Sequence, residues 1–155
     1  MPAFTGLGSP WWDPYARGTV VGLTRGVGRA HVARAVVEAM AFQTRDVVEA
    51  MTACSGHDVA DLRVDGGASV MDLLLQIQAD QLQVPVTRPR VVETTAVGAG
   101  LLAGLAEGVW SSIDEVASLW RADAQRNPRA SRAGADAHHQ GWRRAVERAR
   151  AWAPA

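Results

Sequence analysis

The chain contains no lysine, so arginine supplies all 16 of its Lys/Arg positions. That excludes a Schiff-base lysine and a phosphate loop built on lysine. Cys54 is the only cysteine in 155 residues, so neither an internal disulfide nor a thiolate metal cage can form. It follows a helical stretch and reads as a small buried or half-buried thiol rather than a nucleophile. An excess of one charge is also missing, because 16 acidic residues balance the 16 basic ones. Nothing in that balance calls for nucleic acid or an anionic membrane surface as a partner. No apolar run is long enough to span a bilayer and none at the N-terminus resembles a signal peptide, which makes the cytoplasm the expected compartment. Hydrophobic residues at 48% and charged residues at 21% suit a globular chain of one domain.

Turn formers crowd the first thirty residues, and between them Thr19–Thr24 predicts a short strand from its β-branched content. From His31 to Met51 the pattern becomes helical, with Val32, Val36, Ala39, Met40, Val47, Ala50 and Met51 on one predicted apolar face. Gln43 interrupts that face and needs a partner or an edge position. Gly56 stops the helix. Leu62–Asp65 predicts a strand broken by Gly66 and Gly67. Ser69 is then expected to cap a helix to about Leu82, with Val70, Leu73, Leu74 and Ile77 inward. Val84–Thr87 reads as a strand near a sheet edge, because Pro85 cannot donate to a ladder. A helix over 95–107 carries alanines at 96, 99, 103 and 106, a stripe suited to close packing. Ser112–Glu115 has capping-box spacing. Residues 121–137 read as polar and irregular, and a last helix is predicted over Gln140–Trp152, with Trp142, Ala145, Val146, Ala149 and Trp152 on one side. Alternating strands and helices imply an α/β layered fold.

The motif with most chemical content is Val64-Asp65-Gly66-Gly67-Ala68-Ser69, between a strand and a helix. Two glycines let backbone approach a ligand, and a helix start offers free N–H groups to an anion. An ordinary strand-to-helix turn without a ligand fits the pattern equally well. Gly98-Ala99-Gly100-Leu101-Leu102-Ala103 spells a dinucleotide fingerprint, but both glycines fall inside a helix and no acidic residue follows at the required distance. His138 and His139 are adjacent without other ligands nearby and read as a solvated pair, not a metal site. Arg143, Arg144, Arg148 and Arg150 read as a solvated helix face. Trp11 and Trp12 are expected to pack at a domain or subunit boundary. No nucleophile–base constellation can be assembled.

Pro2–Gly18, with Gly8-Ser9-Pro10-Trp11-Trp12-Asp13-Pro14 at its centre, closely resembles a segment of glycerol kinases of the FGGY carbohydrate kinase family. Further resemblances follow in family order: Gly22–Gly26, Ala41–Asp46, Leu62–Ala68, Gln78–Asp80 and Glu93–Ala96. The resemblance implies an actin-like, ribonuclease H-like ATPase fold of α/β class. Residues 1–155 would be the C-terminal, nucleotide-side domain, without the N-terminal domain and the first strands of the domain's own sheet. It further implies that Gly66, Gly67 and Ala68 hold the adenosine diphosphate part of ATP, oriented by Asp65 and Ser69. Met71 stands where many relatives place an adenine-contacting asparagine. The family's Mg²⁺-linked, glycerol-binding and catalytic residues all lie upstream, so no catalytic, substrate-binding or metal residue is assigned here. The implied activity is ATP-dependent phosphorylation of glycerol to sn-glycerol 3-phosphate, absent from this chain alone. The full enzyme would be a homo-oligomer. A non-catalytic nucleotide-binding or assembly module, and one half of a split sugar kinase, are the alternatives.

Overall fold

The computed structural model describes residues 1–154. Its elements run α1 (Arg29–Ser55), β1 (Leu62–Arg63), a 3-10 turn (Gly67–Val70), α2 (Asp72–Leu82), β2 (Val86–Pro89), α3 (Thr94–Ala106), α4 (Ile113–Ser118), β3 (Ala122–Arg126) and α5 (Arg132–Ala149). The strands form one sheet in the order β1-β2-β3, with β1 parallel and β3 antiparallel to β2. The α/β class expected from the sequence is therefore present.

Helix α1 starts after Gly28, whose N–H donates to the imidazole of His31. It ends where Gly56 adopts φ 70° and donates its N–H to the Thr52 carbonyl, a left-handed stop that glycine makes cheaply. Its buried residues are Ala39, Ala41, Phe42, Arg45 and Asp46. That face differs from the predicted one: Val32, Val36 and Met51 are exposed because no described element covers that side. Cys54 is exposed as well, since it sits in the last turn beyond the helix contacts. Gln43 is half-buried, at the edge of the core.

Helix α2 is the middle layer. Leu74 and Ile77 meet Ala41 of α1, whereas Leu75 and Ala79 meet Val86 of the sheet. Burying Leu75 and its neighbours contributes roughly 2 kcal/mol per side chain. Val70 and Leu73 point outward instead of inward, because the 3-10 turn delays α2 and rotates its first residues away from α1. A third cluster joins Ala3, Leu7 and Ala16 of the N-terminal loop to Ala39 and Phe42 of α1 and to Trp142 and Val146 of α5. The Phe42 and Trp142 rings stack at 5.6 Å.

Several other expectations are corrected. Thr19–Thr24 forms no strand among the described residues, and Gly22 turns the chain at φ 79°. Strand β2 is central, not an edge. Pro85 lies just before it, and its carbonyl accepts from Leu62 N–H at 2.9 Å. Residues 122–126 form β3 despite their polarity. The ladder to β2 and the ion pairs Arg88–Asp123 and Arg126–Asp72 hold them where apolar alternation does not. Helix α5 begins at Arg132, with Ser131 Oγ accepting from Gly134 N–H, and ends at Ala149, leaving Trp152 exposed.

Candidate functional site: the diglycine turn

Strand β1 leads into the turn through Val64, whose N–H donates to Thr87 at 3.0 Å. Gly66 then takes φ 77° and ψ 174°, a combination essentially restricted to glycine. Its N–H donates to the Val92 carbonyl at 2.8 Å, tying the turn to the approach to α3. Asp65 accepts from the Thr94 hydroxyl, a second tie to the same helix. Ser69 is almost fully buried, and its hydroxyl donates to the Gly66 carbonyl at 2.7 Å. Ser69 therefore closes the turn. Helix α2 has Met71, not Ser69, as its N-cap, because the 3-10 turn intervenes. Arg88 on β2 donates to the Ser69 carbonyl at 3.1 Å and pairs with Asp123, which fixes the turn to the sheet.

Gly67 and Ala68 stand exposed at the start of the 3-10 turn, where their N–H groups have no acceptor within the turn. A Cβ built on Gly67 would meet nothing within 4 Å, so the backbone there is open to a ligand. Met71 is half-buried and packs against Ala41, Leu74 and Ile77. Its side chain serves the contact between α1 and α2. The structure thus brings Asp65, Gly66, Gly67 and Ala68 together in one turn closed by the buried Ser69, while Met71 is engaged in the contact between α1 and α2.

The best-satisfied polar groups lie elsewhere, and sequence reasoning missed them. Asp46 is buried, and its Oδ2 accepts from the indoles of Trp142 at 2.7 Å and Trp11 at 3.2 Å. Its Oδ1 lies 2.7 Å from His139 Nε2, which must carry the proton to bond a carboxylate. His139 is therefore not a solvated surface residue, and Trp11 is engaged within the chain. Trp12 is exposed. Arg45, also buried, reaches Glu49, Gln81 and Asp136, linking α1, α2 and α5. That hydrogen bond from Arg45 holds the Asp136 carboxyl below its usual range. Backbone N–H groups, first that of Ala151 and then those of Tyr15 and Ala16, lower the Asp13 pKa likewise. An acidic residue set among Ala39 and Phe42 on a helix face was the available signal for Asp46. Arg143, Arg144, Arg148 and Arg150 are exposed, as expected.

A 460 Å³ cavity lies between Arg45, Glu49, Asp58 and Gln83, and a 690 Å³ apolar one lies beside Val20, Val21 and α1. Neither borders the turn. Among the described residues no cluster of three or more His, Cys, Asp or Glu side chains could hold a metal ion, and no helix is long and apolar enough to cross a membrane.

The strand, glycine-only turn and helix start sit in an order of elements shared with solved FGGY kinases, and that likeness places the domain in the actin-like ATPase class of α/β folds. Solved structures share that fold. Plasmodium falciparum glycerol kinase with ADP superposes with a TM-score of 0.83 at 34% identity, over 96% of this chain and 30% of that one. Gluconate kinase from Lactobacillus acidophilus gives 0.72 at 27%, over 90% and 28%. The chain belongs to the FGGY family of carbohydrate kinases, whose C-terminal domain profile matches residues 1–107. It is 58% identical to the glycerol kinase of Aromatoleum aromaticum over 100% of its own length and 31% of that protein's. It is 53% identical to the Deinococcus radiodurans glycerol kinase over 98% and 30%. The chain thus spans about a third of the curated relatives it matches.

Proposed function

We propose that this chain is the nucleotide-side part of a glycerol kinase and that Gly66, Gly67 and Ala68 receive the diphosphate of ADP or ATP. The open face at Gly67 carries this reading: two free backbone N–H groups beside a position where a side chain would meet only empty space. Similarity to glycerol kinases along the whole chain, at 58% identity for one of them, supports the substrate class. The chain's own contribution is positioning. Arg88, Ser69 and Asp65 hold the turn rigid, and its N–H groups face the anion in a fixed geometry. In the complete enzyme, ATP would transfer its terminal phosphoryl group to glycerol, with Mg²⁺ held by residues outside this chain. Alone, this chain would not phosphorylate glycerol. We place the enzyme in the cytoplasm as a homo-oligomer.

Gly67→Val gives a clean test. Gly67 does not need a positive φ and its Cβ direction is open, so the variant keeps the fold while filling the ligand's space. ADP titration followed by amide NMR should shift Gly66–Met71 in the wild type and leave G67V unmoved. Shifts confined to α5 would put the site elsewhere.

A further inference from the structure

We propose that Asp123 on β3 is a positioning residue for nucleotide binding, aimed by a bulge in its strand so that it orients Arg88 and, through Arg88, the diglycine turn. The proposal rests on the reading of that turn as the diphosphate site.

The geometry starts with Pro89. It has no N–H to give to the ladder, and the register of β2 against β3 shifts between Arg88 and Pro89. Arg88 stands opposite Ala124 and Pro89 opposite Ala122, which leaves Asp123 as the extra residue on β3. In a regular strand Asp123 and Ala124 would point to opposite faces, so Asp123 would turn away from Arg88. With two residues set against one, the bulge re-aims the carboxylate. Its Oδ2 accepts from Arg88 Nε at 2.9 Å and from Nη2 at 2.6 Å.

Those two bonds hold one edge of the guanidinium. Because the group is planar, they also set where Nη1 points, and it donates to the Ser69 carbonyl at 3.1 Å. Asp72 offers Nη1 a competing oxygen at 3.5 Å, but its other oxygen is held by Arg126 at 2.9 Å. Ser69 closes the turn, since its N–H and its hydroxyl both donate to the Gly66 carbonyl. Arg88 therefore pins the far end of the segment that carries the free N–H groups of Gly67 and Ala68.

Charge is the rival explanation. The Asp123 side chain is 46% exposed, so water screens its pair with Arg88, and its negative charge works against a diphosphate ligand. Direction is what it contributes. A turn released by Arg88 spends part of its time with its N–H groups misaligned, and apparent affinity falls with the aligned fraction.

Two variants separate direction from charge. Asp123→Ala removes both bonds to Arg88. Asp123→Asn removes the charge but keeps one carbonyl oxygen able to accept from Nε and Nη2, as Oδ2 does. The ladder from β2 to β3 and the Arg126–Asp72 pair remain in both, so both should keep the wild-type urea midpoint. ADP titration followed by amide NMR should show D123A binding about tenfold more weakly. Its amide exchange should quicken at Ser69 and Met71, whose N–H groups donate within the turn to Gly66 and Ala68. D123N should recover wild-type affinity to within about threefold. Wild-type affinity in D123A, equal loss in both variants, or a urea midpoint that falls in step with affinity would each overturn the proposal. A wild-type chain without ADP shifts at Gly66–Met71 would instead sink the reading of the site, and this proposal with it.

Discussion

Helices α3 and α5 invert what hydropathy alone would suggest. From Thr94 to Ala106, α3 carries no charged residue, yet none of its residues is buried. Helix α5 is rich in arginine and histidine, yet it buries Ala135, His139, Trp142, Val146 and Ala149. The difference is in the partners. Trp142 and Val146 of α5 pack on α1 and the N-terminal loop, and the Asp46 carboxylate accepts hydrogen bonds from the His139 imidazole and the Trp142 indole. Helix α3 leans on α4 and on Trp110, whose ring covers Gly104 so closely that a Cβ there would sit 1.9 Å from it. Available neighbours, more than hydrophobicity, decide which residues of this chain leave water.

The comparison breaks most decisively at Asp46. Asp46→Ala leaves three ring N–H donors without an acceptor and should cost about 3–5 kcal/mol in urea unfolding. A loss below about 1 kcal/mol would mean that water replaces the carboxylate. Val146→Ala on α5 should cost about 2 kcal/mol, whereas Leu102→Ser on α3 should stay within about 0.5 kcal/mol of wild type. Equal losses would erase the contrast between the helices. Acid should weaken the α5 side. Asp13 and Asp136 both have lowered pKa values, so their contribution is complete above the unfolded carboxylate value near ~3.9 and is lost as pH falls through their folded values. A melting temperature that is flat from pH 6 to about 5 and drops below about 4 is expected. Asp136→Asn should flatten that drop. Met71→Asn should be mild too. Asparagine is a good N-cap for α2, which offsets the lost contact with Leu74 and Ile77, so stability should change by less than about 1 kcal/mol. ADP affinity should hold or improve.

Local rules were legible where local physics decides. The left-handed stop at Gly56, the cap at Ser112 and the strand-to-turn passage at Gly66 follow from residue type within a few positions. Strand β3 was not legible, because Ala122–Arg126 lacks alternation and is held by β2 and by arginine pairs distant in sequence. The first half of α5 was hidden for a related reason. His139 counts as polar in any periodicity, and only Asp46, 93 positions earlier, makes it a core residue. The open face at Gly67 lay within the motif, while the role of Met71 at the contact between α1 and α2 depended on knowing how those helices cross.

The Asp46 junction also bears on the order of folding events. Its bonds span 35, 93 and 96 positions, so the last of them encloses well over half of the 155-residue chain. During synthesis the carboxylate on α1 emerges long before the α5 rings that will bond it, and it stays hydrated until they arrive. Contacts of such high sequence separation bear the full entropy of closing a long loop before they return any energy. The interior on the α5 side is therefore a late-closing seal, and a nascent chain interrupted before Trp142 would display α1 with its buried face still wet.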